Sequence, residues 1–469
     1  MKKVRNMSDT LAQAIYQKYI VPTERKPHKY LGVELEYPLV NLSRKPVNIP
    51  AVQEIVQDFV TEFAFTKQSR DDNGNLYSAT EPVSGDNLSF DCSFNTIEFS
   101  FGKEESIAVL HKRFAAYYDY LQPRLREIGH LMTGMGIHPF YLYNENVPIA
   151  NDRYRMLFHH LESYNAYESP LFHRFPNFGM FAAASQVQLD VQKNDIIKTL
   201  NTMNLLEPYN ALLFANSFFE RLPELTVSRD YLWRYSTQGY NPHNLGMYDT
   251  VFHNLDEYIE YVKGQSIYCV GKGNKYYHFK PTPLREYVQA KTISGQYFEN
   301  GEWHRELFQP DIADIKDLRT FKFADLTYRG TIEYRSACEQ PITDVFAHAA
   351  FHAGLAEEID ALAELLAQDH VLYQHGYTAS ELRELTTKRK LPLFANRNEI
   401  SAQLMHILEL AQSGLQKRGL HEENYLQPLF TRAERLSNPA LDLLSGLERG
   451  DKIEKWIERY AKRSEILIA

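Results

Sequence analysis

The chain has 469 residues, 44% of them hydrophobic, with 51 Lys and Arg set against 60 Asp and Glu. The net charge of −9 argues against a nucleic-acid binder, whose phosphate contacts need a basic face, but leaves open an ATP-using enzyme, because a bound metal ion reverses the local field. Three cysteines, Cys92, Cys269 and Cys338, have no C-x-x-C spacing; they argue against a disulfide framework or a structural zinc site and fit a reducing compartment.

The first residues, MKKVRNMSDTLAQAIYQKYI, are basic but lack an apolar signal core, and no stretch approaches the roughly 18 apolar residues of a membrane span. A soluble cytoplasmic protein with no membrane partner is expected. Residues 8–20 read as a helix capped by Ser8, with Leu11, Ala14, Ile15 and Lys18 at helical spacing. A polar turn at Pro22–Pro27 leads to a strand, Tyr30–Val40, and then a helix near Val52–Phe63. Residues 67–88 are turn-rich and read as a loop or hairpin returning to the sheet. A strand at Phe94–Phe101 and an amphipathic helix at Glu104–Gly129 follow, then a strand at Ala182–Val191 and a helix at Asp195–Ala215. The Gly-, Asn- and Pro-rich segment Gly239–Gly246 reads as a functional loop, and Gly330–Ser336 as the last sheet strand. From Asp344 the pattern is helical to the end, with breaks near Pro392 and Pro439. With no repeat and no linker, the expectation is one α+β unit over residues 1–469. Its single mixed or antiparallel sheet lies in about 28–343, and a helical C-terminal third occupies about 344–469.

Four strand-like runs carry acids on their polar faces. In GVELEY, Glu34 and Glu36 share one face and Val33, Leu35 and Tyr37 the other. In TIEFSF, Glu98 sides with Thr96 and Ser100; in ASQVQLDV, Gln186 sides with Gln188 and Asp190; in GTIEYRS, Glu333 sides with Arg335. Alternation alone means only an antiparallel sheet with one wet face. These faces, however, hold acids, amides and one Arg with no Lys, and like charges gathered on a sheet repel unless something positive sits among them. Such oxygens are ligands that Mg²⁺ prefers, and the Arg335 fork suits a phosphate. The reading requires the four strands to be neighbours, which alternation within each strand leaves open.

No GxxxxGK[ST] is present, and the one Gly-x-Gly, Gly134–Gly136, has no third glycine, so a P-loop or Rossmann nucleotide site is unsupported. His348 and His352 have metal-ligand spacing on a helix, but without the Glu of H-E-x-x-H they read as packed histidines. The His159–His160 side chains point in different directions. The aromatic stretch Tyr268–Phe279 reads as strand core, with a binding wall as the alternative, and Cys338, beside Arg335 in sequence, as an inert core thiol, with a low-pKa thiol as the alternative.

Taken together, the segments resemble the glutamate–cysteine ligase family, in the branch found in plants and many bacteria. GVELEY resembles its opening strand, and NTIEFSFGKEESIAVLHKRF a Glu strand followed by a helix. NDRYRMLFHHL resembles the Arg-Tyr loop before the next strand. ASQVQLDV, EPYNALLFANSFFE, SRDYLW, KYYHFKPTPLREYV and GTIEYRSACEQP follow in the family's order from about residue 30 to about 355. The resemblance implies a glutamine-synthetase-like, mostly antiparallel sheet backed by helices. It implies metal-ligand roles for Glu34, Glu36, Glu98 and Glu333, with Asp91 as a weaker fifth. Gln186 would sit at a nucleotide–metal position, the catalytic Arg335 at the transferred phosphate, and Arg229 at a substrate carboxylate near Trp233.

It further implies Mg²⁺, or Mn²⁺ in its place, with ATP as co-substrate, and small-molecule partners: glutamate, cysteine or another amine, and ATP. The reaction would convert the γ-carboxylate of glutamate to an acyl phosphate that the amine of cysteine displaces, giving γ-glutamylcysteine and ADP, the first step of glutathione-type thiol synthesis. Two departures bear on the acceptor: RYSTQGYNPHNLG lacks the family's Arg before Gly246, and Cys338 and Glu339 stand in the closing motif. The alternatives are a γ-glutamyl ligase for a different amine, a non-catalytic relative that binds glutamate or nucleotide, and a metal-dependent amide hydrolase built from the same carboxylates.

Overall fold

The alternation in GVELEY builds the central strand. Leu31–Asn41 forms β1, and Leu31, Val33, Leu35 and Tyr37 are buried on its core side. The computed structural model describes residues 7–25, 28–167 and 171–463. The strands after β1 are β2 (Lys67–Arg70), β3 (Leu76–Thr80), β4 (Asn87–Phe90), β5 (Thr96–Glu104), β6 (His130–Met132), β7 (Ser185–Asp190) and β8 (Leu245–Gly246). They continue with β9 (Ser266–Lys272), β10 (Lys275–Pro283), β11 (Ile293–Glu299), β12 (Glu302–Phe308), β13 (Phe321–Lys322), β14 (Ala324–Leu326) and β15 (Thr331–Tyr334).

The main sheet has nine strands in the order β14-β15-β7-β1-β5-β4-β3-β2, with β6 also on β1. Every pairing in it is antiparallel. The four acid-bearing runs therefore occupy adjacent places, β15-β7-β1-β5, as the functional reading requires. The turn-rich segment 67–88 does return to the sheet, as the arms β2, β3 and β4.

The helix Ile107–Glu127 backs the sheet through aromatic contact: Phe114 meets Phe99 edge-on at 5.9 Å and Tyr37 at 5.8 Å, and Tyr117 stacks on Phe99. Further along, the helix Ala347–Glu357 packs behind β7, and His352 stacks on Tyr334 of β15 at 4.4 Å. His348 sits edge-on to Phe214. Both histidines are buried, so they are packing residues as expected. The C-terminal third is helical, ending in the helices Arg397–Arg418, Gln427–Arg435, Pro439–Glu448 and Ile453–Tyr460. No helix among the described residues is long and apolar enough to cross a membrane.

Several expectations need correction. The α-helix Met7–Ile15 does not run on to residue 20: Tyr16–Ile20 is π-helical and Val21–Glu24 a 3₁₀ turn. The expected cap cannot be read at Ser8, which falls inside the helix Met7–Ile15 and whose side chain is not described, and the end of the turn at Pro27 lies outside the described residues. NDRYRMLFHHL is not a loop but the helix Asp152–Glu162, because Asn151 caps it by accepting from the Tyr154 amide at 2.9 Å. The break expected near Pro439 is present at 436–438, and Pro439 opens the next helix with Asn438 as its cap.

The sheet is also not single. The strands β9 to β12 form a separate four-stranded sheet in the order β12-β11-β10-β9, and β8 and β13 form a parallel pair. The Tyr268–Phe279 stretch lies in β9 and β10 as strand core. The β11–β12 hairpin turns at Asn300–Gly301, where φ is 54° and 88°; the Asn-Gly pair is the sequence signal for such a turn.

Candidate active site

Residues directly opposite in an antiparallel pair share a face, so register decides which acids meet. Glu34 on β1 stands opposite Gln186 on β7 and Ser100 on β5, and Glu36 stands opposite Glu98. Glu333 on β15 stands opposite Gln188 on one side and Asp325 of β14 on the other. One face of four adjacent strands thus collects the expected carboxylates. Beyond it lies a cavity of about 540 Å³. Glu34, Glu36, Asp91, Glu98, Gln186, Arg229, Trp233, Glu333 and Arg335 all line it.

Hydrogen bonds fix the floor. Glu36 accepts from the Gln186 amide nitrogen and from the Ala184 backbone N–H, both at 2.7 Å. Its own N–H donates to the Glu339 carboxylate at 3.0 Å, so the departing Glu339 is a buried support beneath Glu36. Glu98 accepts from Ser100 Oγ at 2.5 Å. Glu333 accepts from Gln188 Nε2 at 2.7 Å and from Arg335 Nη1 at 3.2 Å. Gln188 is thus a brace behind the wall, and Asp190 turns away to Arg25 at 2.7 Å.

On the cationic side, Arg229 begins the helix Ser228–Arg234; its Nη1 donates to the Ala337 carbonyl at 3.2 Å, and its Nε is buried without a partner. Trp233 from the same helix stacks on Phe321 at 5.3 Å, and the Arg335 guanidinium lies over the Phe321 ring, also at 5.3 Å. Asp91 leads the β4–β5 turn, where Cys92 holds φ at 60°, a left-handed conformation costly for a residue with a Cβ and found where structure over-determines it. Cys338 is buried and donates to Ser217 Oγ at 3.2 Å, outside the cavity lining, which makes it a packed thiol.

Burial is the first cause that raises the floor carboxyls. Burial, with Glu333 as the next cause, pushes Glu34 up to about 7. Burial and then Asp91 push Glu36 up to about 8, against the pull of Arg229. Burial followed by Glu34 holds Glu98 well above the carboxylate range, and burial raises Asp91 despite Arg153. A carboxyl raised in this way gains from any cation delivered to it.

Sequence reasoning missed Lys18, Arg153, Arg319, Asp325 and Arg329, which also line the cavity. Arg153 sits in the quoted NDRYRM run; Asp325 lies in β14, a strand of three residues and too short for alternation to register, and Arg329 lies in the turn that leads to β15. Lys18 reaches the cavity from the π-helical segment, where 3.6-residue spacing no longer applies.

Carboxylate and amide oxygens are the right donors for Mg²⁺, and Gln186 Oε1 is buried with no partner, an acceptor left open for one. Among the described residues, no group of three or more His, Cys, Asp or Glu side chains is already arranged to hold a metal ion. That agrees with a cation held by one or two carboxylates together with substrate phosphates rather than by a closed protein cage. The donor set fits, with the phosphates completing it.

The model of the glutamate-cysteine ligase family 2 (GCS2) matches residues 30–459. The chain is 25% identical over 272 residues to a chloroplastic glutamate–cysteine ligase of Solanum lycopersicum, covering 55% of this chain and 48% of that one. It is 23% identical over 332 residues to chloroplastic glutamate–cysteine ligase A of Oryza sativa subsp. indica, covering 66% and 61%. The chain thus spans about half to three-fifths of these relatives' length. Among solved structures, a glutamate–cysteine ligase from Francisella tularensis in complex with AMP aligns at a TM-score of 0.47 and 11% identity, over 93% of this chain and 88% of that one. A bifunctional glutathione synthetase from Pasteurella multocida aligns at 0.45 and 10%, over 97% and 52%. With the family model running through the whole main sheet and on into the helical third, this chain belongs to glutamate-cysteine ligase family 2.

Proposed function

We propose that the protein is an ATP-dependent ligase that joins the γ-carboxylate of glutamate to the amine of cysteine, with Mg²⁺ or Mn²⁺ as the metal. The observation that carries the reading is one cavity combining an acidic floor on four adjacent strands with Arg229 and Arg335. Family membership supports the same chemistry. Glu34, Glu36, Glu98, Glu333 and Asp91 would supply the metal ligands, one or two carboxylates to an ion with substrate phosphates completing the set, and Gln186 would sit at the nucleotide. When bound, the metal supplies the positive charge that two approaching anions need.

The chain's own residues do the rest. Arg335, held by Glu333 and the Thr320 carbonyl, presents its remaining donors to the phosphoryl group in transfer. Arg229 offers its unpartnered Nε to a substrate carboxylate, and Trp233 walls the place beside it. The glutamate carboxylate oxygen bonds to the γ-phosphorus as ADP leaves. The amine nitrogen then bonds to the acyl carbon, losing a proton, as phosphate leaves. Positioning in the buried cavity supplies much of the rate. Glu339, under Glu36, and Cys338, packed on Ser217, lie behind the site, so these departures leave cysteine as first choice of acceptor. The three cysteines are free and buried, which supports a reducing compartment; the cytoplasm is our first choice, although the plant relatives are chloroplastic.

The test is a mass-spectrometric screen of glutamate, Mg-ATP and a panel of amines, with ADP release as the second readout. The expected result is γ-glutamylcysteine, with ADP and phosphate released only when glutamate, amine and metal are all present. Product without ATP would overturn the ligase; product with another amine and none with cysteine would overturn only the acceptor.

A further inference from the structure

A buried ion cluster stands directly behind the two site arginines. Arg383 lies on the helix Ala379–Thr386 in the C-terminal third. Its side chain is 4% exposed and that of Glu207, on the helix Ile196–Phe214, 1%. Neither lines the cavity, nor do Asp230 and Ser336, which complete the cluster.

The Arg383 fork is used in every direction. Its Nε donates to Asp230 Oδ2 at 2.7 Å, and Asp230 is the neighbour of Arg229 on the helix Ser228–Arg234. Its Nη1 donates to the Glu207 carbonyl at 2.9 Å and pairs with the Glu207 carboxylate. Its Nη2 reaches the Ser336 carbonyl at 3.4 Å, and Ser336 is the neighbour of Arg335. Ser336 Oγ in turn donates to Glu207 Oε1 at 3.1 Å, as does Asn210 Nδ2. The flat face of the guanidinium lies over Phe323 at 4.3 Å, a ring that lines the cavity and whose carbonyl accepts the Arg335 N–H at 3.0 Å.

Stability does not explain such a cluster. The buried Glu207 carboxylate and the Asp230 carboxylate, 18% exposed, share one buried guanidinium, and apolar residues of similar volume are often as stable as such an ion triad. What a planar fork does, and a hydrophobic plug does not, is fix three separate backbone segments at set distances and angles. The segments fixed here are the ones that carry Arg229 and Arg335.

We propose that Arg383 is a positioning residue for the ligase reaction. It ties the helix bearing Arg229 and the strand end bearing Arg335 to Glu207, so that the two site cations keep a constant separation. The inference rests on the proposed function, and misplacement by about 1 Å can cost roughly a hundredfold in rate.

The experiment compares the 469-residue chain with Arg383→Lys, which keeps the charge and loses the fork, and with Asp230→Asn, which takes the charge from one tie and leaves the cluster otherwise filled. Melting temperature, kcat and the KM values for glutamate and ATP are measured for each. Arg383→Lys is expected to melt within a few degrees of wild type while kcat falls and the glutamate KM rises, each by roughly tenfold or more. Asp230→Asn is expected to raise the glutamate KM with the smaller effect on kcat, because it loosens the Arg229 helix alone. Folded Arg383→Lys with both constants within twofold of wild type overturns the positioning role, as does equal loss of both constants in Asp230→Asn. If instead the wild type turns over neither glutamate nor ATP, the ligase reading has failed, and isothermal titration of Mg-ADP and glutamate separately into wild type and Arg383→Lys decides the positioning role. Weakening of glutamate in the variant supports it, and equal affinities overturn it.

Discussion

Glu333 is the residue at which an ordinary wet sheet face and a metal-holding wall give opposite predictions. Its carboxylate is held by Gln188 and Arg335, and Arg335 also feels Asp325, Glu34 and Glu36. In Glu333→Gln the shape and the Gln188 bond survive, and the arginine keeps three other acids near it. Without ligands the variant is expected to melt as wild type does, within about 0.5 kcal/mol. Its turnover is expected to fall roughly a hundredfold, the scale of losing a preorganised charge, and its stabilisation by Mg-ATP to shrink. Normal turnover with an unchanged magnesium-dependent melting shift would reduce the strand to a sheet face. At this scale the sequence was informative because period-two alternation assigns a face to each residue. It told nothing of Arg153, Arg319 and Arg329, which reach the cavity from outside the four alternating runs.

At the scale of elements, the β14–β15 hairpin is a wall of the site, since it carries Asp325, Arg329, Glu333 and the approach to Arg335. Its tip is fixed at Gly330, where φ is 79° and a Cβ would lie 2.5 Å from the Pro22 carbonyl oxygen. The Gly330 carbonyl also accepts the Val191 N–H at 3.3 Å, which ties the tip to the end of β7. An alanine there meets both a strained backbone and a backbone neighbour that cannot move aside cheaply. Gly330→Ala is expected to cost about 1–3 kcal/mol in a denaturant melt and to raise the KM for ATP more than that for glutamate. An unchanged melt would show that the tip is not docked on Pro22. The strand itself was readable in the sequence, but its docking was not: Gly330 and Pro22 are more than 300 residues apart, and no local pattern reports such a contact. The second sheet was missed for a different reason. Its Asn300–Gly301 turn is a local signal, but β11 and β12 mix charged and aromatic residues on both faces, so alternation is weak.

The whole molecule raises the question of whether the helical third is separable from the sheet. We propose that it is one unit with it, on the following contacts. Arg383 reaches Glu207 and Asp230, and the buried Arg432 donates to the Leu213 carbonyl at 2.9 Å and to Gln340 at 2.7 Å. Within the helical third, the helices Ala347–Glu357 and Arg397–Arg418 meet where Gly354 and Gly414 let the two backbones touch: a Cβ on Gly414 would collide with the Gly354 carbonyl. Because the first of these helices also backs β7, a shift there passes to the strand bearing Gln186. Gly414→Ala is expected to destabilise by about 1–3 kcal/mol. The chain's three tryptophans offer the test, since Trp233 lies at the cavity, Trp303 in the second sheet and Trp456 in the last helix. In single-tryptophan variants, with the other two changed to Phe, all three probes are expected to report one transition coincident with far-UV circular dichroism, and Gly414→Ala to move all of them by the same amount. If only the Trp456 transition moves and Trp233 unfolds as before, the helical third is a domain of its own, and the positioning of the site arginines through Arg383 has to be carried across an interface rather than through a shared core.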